Sequence, residues 1–112
     1  MKDDHSASTT GDALLLALAA LANPHRLRIV AALHGGGRIY VSALARELGI
    51  SRPLLHLHLA RLQEAGLVAS RLELSTDGKA LNYFEISDFD IVLTPAAVAA
   101  AAATLSPPRS EP

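Results

Sequence analysis

Two short helical runs, each opened by a serine and joined through Gly49-Ile50-Ser51, constrain this chain more than any other feature. The stretch reads Ser42-Ala43-Leu44-Ala45-Arg46-Glu47-Leu48-Gly49-Ile50-Ser51-Arg52-Pro53-Leu54-Leu55-His56-Leu57-His58-Leu59-Ala60-Arg61-Leu62. Ser42 and Ser51 stand where a side-chain oxygen can accept from the N–H groups that a first helical turn leaves without partners. Pro53 suits that first turn, where a missing N–H costs nothing. Gly49 permits the sharp bend, and Ala45 is small where the helices cross. Leu44, Leu48, Ile50, Leu55, Leu59 and Leu62 then supply one shared core. Two capped helices joined so tightly through glycine form a helix-turn-helix, the second helix running from about Arg52 to Ala65, where Gly66 stops it.

The flanking segments have their own punctuation. Asp12 is the expected cap of a helix from Ala13 to Ala22, whose Leu14, Leu15, Leu16, Leu18 and Leu21 leave almost no polar face, so it must be covered on more than one side. Asn23-Pro24 breaks and restarts the chain into a helix reaching about Leu33, with Leu27, Val30, Ala31 and Leu33 inward and Arg26 and Arg28 outside. His34-Gly35-Gly36-Gly37 ends it. Ile39-Tyr40-Val41 is a short β-favouring run before Ser42. Past Gly66 the period becomes two, with Leu72 and Leu74 against Arg71 and Glu73, then Phe84 and Ile86 against Tyr83 and Glu85. Asp77-Gly78 between them has the composition that closes hairpins with positive φ at both central positions. Thr94-Pro95 opens a last helix to about Leu105. The expectation is a mainly α fold, a winged helix-turn-helix of about five helices plus a two-stranded hairpin wing, over residues 12–105, between a flexible acidic tail at 1–11 and a flexible tail at 106–112.

The chain has 112 residues, 50% of them hydrophobic but only 4% aromatic, so its core must be aliphatic. It contains no cysteine, which excludes disulfides, thiolate metal sites and thiol redox sensing and suits a reducing cytoplasm. The polar, acidic start does not read as an export signal, and the Leu/Ala-rich stretches fall short of the roughly 20 apolar residues a membrane helix needs. The net charge of −1 would argue against a polyanion partner, but the distribution reverses that. From Pro24 to Ile86, eight bases (Arg26, Arg28, Arg38, Arg46, Arg52, Arg61, Arg71, Lys79) face five acids (Glu47, Glu64, Glu73, Asp77, Glu85), a local balance of +3.

With its leucines inward, the second helix presents Arg52, Pro53, His56, Leu57 and Ala60, amino end first. That end attracts phosphate through free N–H groups and the helix dipole, and Arg52 can give paired donors to a guanine edge of double-stranded DNA. Ser51 is a candidate phosphate ligand as well as a cap, Ser42 a candidate DNA contact, Arg61 a second phosphate anchor, and Arg71 and Lys79 candidate contacts from the wing. A solvated strand edge is the bland alternative for the last two. Leu57 sits where a polar residue is usual: either it touches a thymine methyl or the helix is turned by one residue.

Leu21-Ala22-Asn23-Pro24-His25-Arg26-Leu27-Arg28-Ile29-Val30 resembles the L-x-x-P-x-R-x-x-I-L helix of ArsR/SmtB-type bacterial repressors. Ser51 to Val68 resembles their S-x-x-x-x-x-H-L-x-x-L-x-x-A-G-L-V, and Asn82 to Ser87 their Y-Y-x-L-T closing strand. The resemblance implies a homodimer through the first and last helices, here Leu14, Leu15, Leu18, Leu21, Val98 and Leu105, placing two recognition helices in successive major grooves of a roughly palindromic operator. The family's metal ligands do not carry over: Val41 to Leu48 holds no cysteine, and Thr94 to Leu105 no Asp, Glu or His. His56 and His58, two apart on a helix, diverge; His5 with Asp3 and Asp4 is a weak pair, and His25 and His34 read as surface residues. No metal or other cofactor is expected, nor any catalysis, since Gly35-Gly36-Gly37 lacks the Lys-Ser/Thr of a phosphate loop. The two alternatives are a repressor of the same fold responding to a metal or to a small hydrophobic effector held between the terminal helices, and a winged helix that binds protein.

Overall fold

Thr10, not Asp12, opens the first helix. In the computed structural model, which describes residues 9–108, helix α1 spans Gly11–Leu21, and the Thr10 side chain accepts from the Ala13 N–H at 3.2 Å. Asp12 instead accepts from the Ser106 N–H at 3.1 Å and from the Ser106 hydroxyl, so a residue assigned to the tail holds the start of α1. The remainder of the expected tails, residues 1–8 and 109–112, lies outside the described residues, and His5 with it.

The chain turns by 94° into α2, Pro24–Gly36. Asn23 Oδ1 caps it, accepting from the N–H groups of His25 (2.8 Å) and Arg26 (3.3 Å). Helix α2 passes the expected stop at Leu33 and ends at Gly37, whose φ of 73° closes it. At Gly36 an added Cβ would lie 2.9 Å from Ile39 Cδ1, the far end of a side chain that can shift aside. Strand β1 is Ile39–Tyr40, and α3, Val41–Leu48, follows without a linker. Ser42 is therefore not the cap but part of the first turn; the cap position belongs to Tyr40, which gives no side-chain bond. The cause is strand pairing: Tyr40 is held opposite Tyr83, and the helix starts at the next residue.

Gly49, with φ 69°, ends α3, and α4 runs Arg52–Glu64. Strands β2 (Val68–Leu74) and β3 (Ala80–Ile86) follow, then α5 (Pro95–Ala102), capped by Thr94, which accepts from the Ala97 N–H at 3.0 Å. Helix α5 stops before Leu105, which lies in the segment after it. The expected two-stranded hairpin is one part of a three-stranded antiparallel sheet of order β1-β3-β2, in register Ile39↔Phe84 and Ser70↔Phe84. Its turn is the five-residue Ser75–Lys79 loop, closed by the Ser75 N–H donating to the Lys79 carbonyl at 2.8 Å. Only Gly78 there has positive φ, 85°, so the two-residue turn expected from Asp77-Gly78 does not form.

Ile29, Leu33, Leu44, Leu55, Leu59 and Leu62 are the fully buried large side chains, drawn from α2, α3 and α4. Leu48 and Ile50, assigned to that core, lie half-buried at its rim. One assignment fails. Helix α2 is rotated from the expected face: Ile29 and Leu33 point inward, Leu27 and Ala31 outward, and Arg26 is half-buried. Helix α1 buries Ala17 and Ala20 rather than its leucines, since small residues let the helices approach closely; Leu15 and Leu16 are exposed, and Leu14, Leu18 and Leu21 half-buried. Among the described residues no single helix is long and apolar enough to cross a membrane.

Candidate nucleic-acid interface

Ser51 fixes the start of α4 by accepting from the Leu54 N–H at 3.2 Å. Leu55, Leu59 and Leu62, at 0 to 1% exposure, anchor the rear of the helix. Ser51, Arg52, Pro53, His56, Leu57, Ala60 and Arg61 are all exposed on the other side. Leu57, at 55% exposure, settles the rotation left open by the sequence: it points outward. Ser42, also exposed, shares a groove with Arg52, Pro53 and His56, whose far wall is Ala80, Leu81 and Asn82 of β3. Tyr40 and Asn82 line this groove and were missed; the only signal for Asn82 is that it is the polar residue of β3 nearest the turn.

Two cations of the sheet region, Arg71 in β2 and Arg38 before β1, are engaged. Arg71 Nε donates to Glu85 at 2.6 Å. Arg38 donates to Glu73 (3.2 Å) and to the Tyr83 hydroxyl (2.9 Å), its guanidinium 4.4 Å from the Tyr83 ring centroid. The Tyr40 hydroxyl donates to the other Glu73 oxygen at 2.8 Å, which raises the Tyr40 pKa because the carboxylate favours the protonated phenol. Arg61 lies 3.8 Å from Glu64, a loose exposed pair of little strength. Among the described residues Arg28, Arg46, Arg52 and Lys79 have no carboxylate partner. The leucines of the hairpin do not alternate into a core near its tip, for Leu72 and Leu74 are 72% and 73% exposed.

His58 is the buried polar residue behind this surface, 6% exposed. Its Nδ1 accepts from Arg26 Nε at 3.0 Å, and Arg26 Nη1 reaches the carbonyls of Ala19 and Ala20 at the end of α1, 3.4 Å each. These partners turn Arg26 inward, against the expectation of an outer position. The His25 ring is 5.2 Å from that of His58, so His25 too is more than a surface residue. Burial first, then the Arg26 guanidinium, then His25, lower the His58 pKa from 6.5. A base whose folded pKa is depressed leaves the unfolded chain to bind the extra proton, so its stabilising effect is complete above pH 6.5 and is lost as the pH falls below it. The melting temperature is expected to drop as the pH is lowered from 7.5 through 6.5 to about 5.5, and the drop to be smaller in His58→Gln. An equal drop in both proteins would remove His58 as the cause.

His56 is exposed and His58 buried, so they do not converge on one ion, and among the described residues no group of three or more His, Cys, Asp or Glu side chains could hold a metal. Helices α1 and α5, proposed to hold a hydrophobic effector between them, instead meet closely at Gly11, whose N–H donates to Thr104 Oγ1 at 2.7 Å. Leu15, Leu16, Val98 and Leu105 remain exposed on and beside this pair.

Residues 21–71, covering α2 to α4 and part of β2, match the family described as "Helix-turn-helix domain". An uncharacterized HTH-type transcriptional regulator of Methanocaldococcus jannaschii is 42% identical over 55 residues, which are 49% of this chain and 57% of that protein. The transcriptional regulator HlyU of Vibrio vulnificus superposes with a TM-score of 0.55 at 28% identity, over 80% of this chain and 81% of its own. The homodimeric winged helix-turn-helix DNA-binding domain of Mb0332 from Mycobacterium bovis, described as a possible ArsR-family transcriptional regulator, superposes with a TM-score of 0.59 at 26% identity, over 82% and 74%. Helices α3 and α4 around a glycine turn, an antiparallel wing and these likenesses agree: residues 21–71 match a helix-turn-helix domain, and the chain shares the winged fold of these solved transcriptional regulators.

Proposed function

We propose that this chain is a homodimeric, sequence-specific DNA-binding transcriptional repressor, acting in the cytoplasm without catalysis of its own. One observation carries the reading: α4 stands exposed with its capped amino end outward, three buried leucines behind it and beside it Arg52, which has no carboxylate partner among the described residues. Free N–H groups and the dipole at that end favour phosphate, and a two-fold dimer would set two copies about one helical turn apart on a pseudo-palindromic operator. Ser42, Ser51, Pro53, His56, Leu57, Arg61, Arg71 and Lys79 complete the interface, with Arg71 having to leave Glu85 to reach a phosphate. The exposed Leu15, Val98 and Leu105, with the half-buried Leu14, Leu18 and Leu21, supply apolar surface for the dimer. A chain without cysteine is released by a signal other than thiol oxidation, an unidentified small effector being one such signal. The domain is the 12–105 segment extended to the Thr10 cap and Gly11 of α1 at one end and to Ser106 at the other.

Duplexes that the purified protein retains from its own genome, titrated across a salt series, test this. Binding should weaken linearly on a log-log plot, because bound cations displace counterions. Arg52→Ala should cost about 1–3 kcal/mol of discrimination between a selected and a scrambled duplex, whereas Arg61→Ala should weaken both alike. Affinity that is flat with salt and blind to sequence would sink the reading.

A further inference from the structure

The outward arc of α4 is apolar at its centre. Pro53, Leu57 and Ala60 follow one another at spacings of four and three, so they stack along one line of the helix, and all three are exposed. Arg52 and His56 flank this line on the side of the β3 groove. Arg61 flanks it on the other, and the line ends in Glu64 at the far end of the helix, beside Arg61. No side chain along the central line from Pro53 to Ala60 can donate or accept a hydrogen bond.

Pressed into a major groove, such a line would bury donors and acceptors of adenine, guanine or cytosine edges without replacing their water, at a cost. Thymine alone offers an apolar group there, its C5 methyl. We infer that α4 selects half-sites by packing Leu57, braced by Pro53 and Ala60, against thymine methyl groups, with Arg52 and Ser51 holding the adjoining strand. This rests on the DNA-binding reading above and adds the chemistry by which the site chooses its sequence.

The test uses the full chain, a duplex selected from its own genome, and the same duplex with deoxyuridine for thymine, which removes only the methyl groups. One methyl lost from an apolar contact should weaken wild-type binding about fourfold, and its loss from both half-sites about fifteenfold, with an unchanged salt slope. Leu57→Ala should bind the thymine duplex more weakly by a similar factor and be indifferent to deoxyuridine; its melting temperature should match wild type, since Leu57 is exposed. Equal wild-type affinity for the two duplexes overturns the inference while leaving DNA binding intact. So does a deoxyuridine penalty that survives in Leu57→Ala. Failure to bind any duplex in a salt-dependent way overturns the DNA-binding reading itself, as it would if this face docked on a protein.

Discussion

Leu59→Ala will lower the unfolding free energy by about 2–5 kcal/mol, the range for emptying a buried leucine site. Leu59 is 1% exposed and sits among Ile29, Leu44, Leu55 and Leu62, where α2, α3 and α4 converge. Helices cannot collapse freely into a void whose walls are the rear faces of three of them, so much of the lost contact stays lost. A domain of this size has about 5–15 kcal/mol in all, and the loss should be legible as a shift of the urea midpoint at constant slope. Leu57→Ala, two residues away on the exposed side, is the control and should change stability by less than about 0.5 kcal/mol. A Leu59→Ala cost below about 1 kcal/mol would mean that α4 is not held by its leucines, and the account of its orientation would fall with them.

Gly11→Ala should also destabilise, although alanine is the better helix former by about 1 kcal/mol. A Cβ on Gly11 would lie 2.4 Å from the Ala101 carbonyl oxygen and 2.7 Å from the Leu105 side chain. Backbone oxygen cannot swing aside, so α1 must move off α5, stretching the Gly11 to Thr104 bond and the Asp12 to Ser106 pairing. Overpacking of this kind costs about 1–3 kcal/mol. Differential scanning calorimetry should show a lower melting temperature, and sedimentation equilibrium a weaker dimer, because the same two helices carry the proposed self-association. A raised melting temperature would show that helix propensity outweighs the contact and that α1 and α5 part without penalty.

The helix-turn-helix was legible because its signals are local. Ser51, Gly49 and Gly66 act on backbone groups within four residues of themselves, and the spacing of Leu55, Leu59 and Leu62 names the inner face unaided. What misled were positions decided by distant partners. Arg26 was placed outside because nothing near it in sequence shows that His58, 32 residues later, offers an acceptor to an inward guanidinium. Once Arg26 turns in, α2 rotates, and Leu27 is displaced to the surface. In α1 the leucines on every side named no inner face, and the residues buried within the chain are the small Ala17 and Ala20, which let the helices approach closely. Ile39-Tyr40 was read as β-favouring, but a strand two residues long is too short to display a period of two or name its partner, so its pairing with β3 into a three-stranded sheet went unseen. On the candidate site, exposure of Arg52, Pro53 and His56 followed from the helix geometry, whereas that of Leu57 was left open and Ser42 was read as a cap. The groove wall of Tyr40 and Asn82, and the glutamates that hold Arg38 and Arg71, needed the sheet register.

Tyr40 closes β1, bonds through its hydroxyl to Glu73 of β2, and immediately precedes α3. The hairpin is therefore tied to the helical layer at a second point besides the Gly66 turn: a load applied at its tip can pass through the phenol and the strand end to the first residue of α3. A surface whose curvature does not suit the spacing between hairpin and α4 would meet stiffness instead of compliance. The energy of any mismatch would then have to be stored in bending the binding partner, as happens when rigid proteins deform DNA.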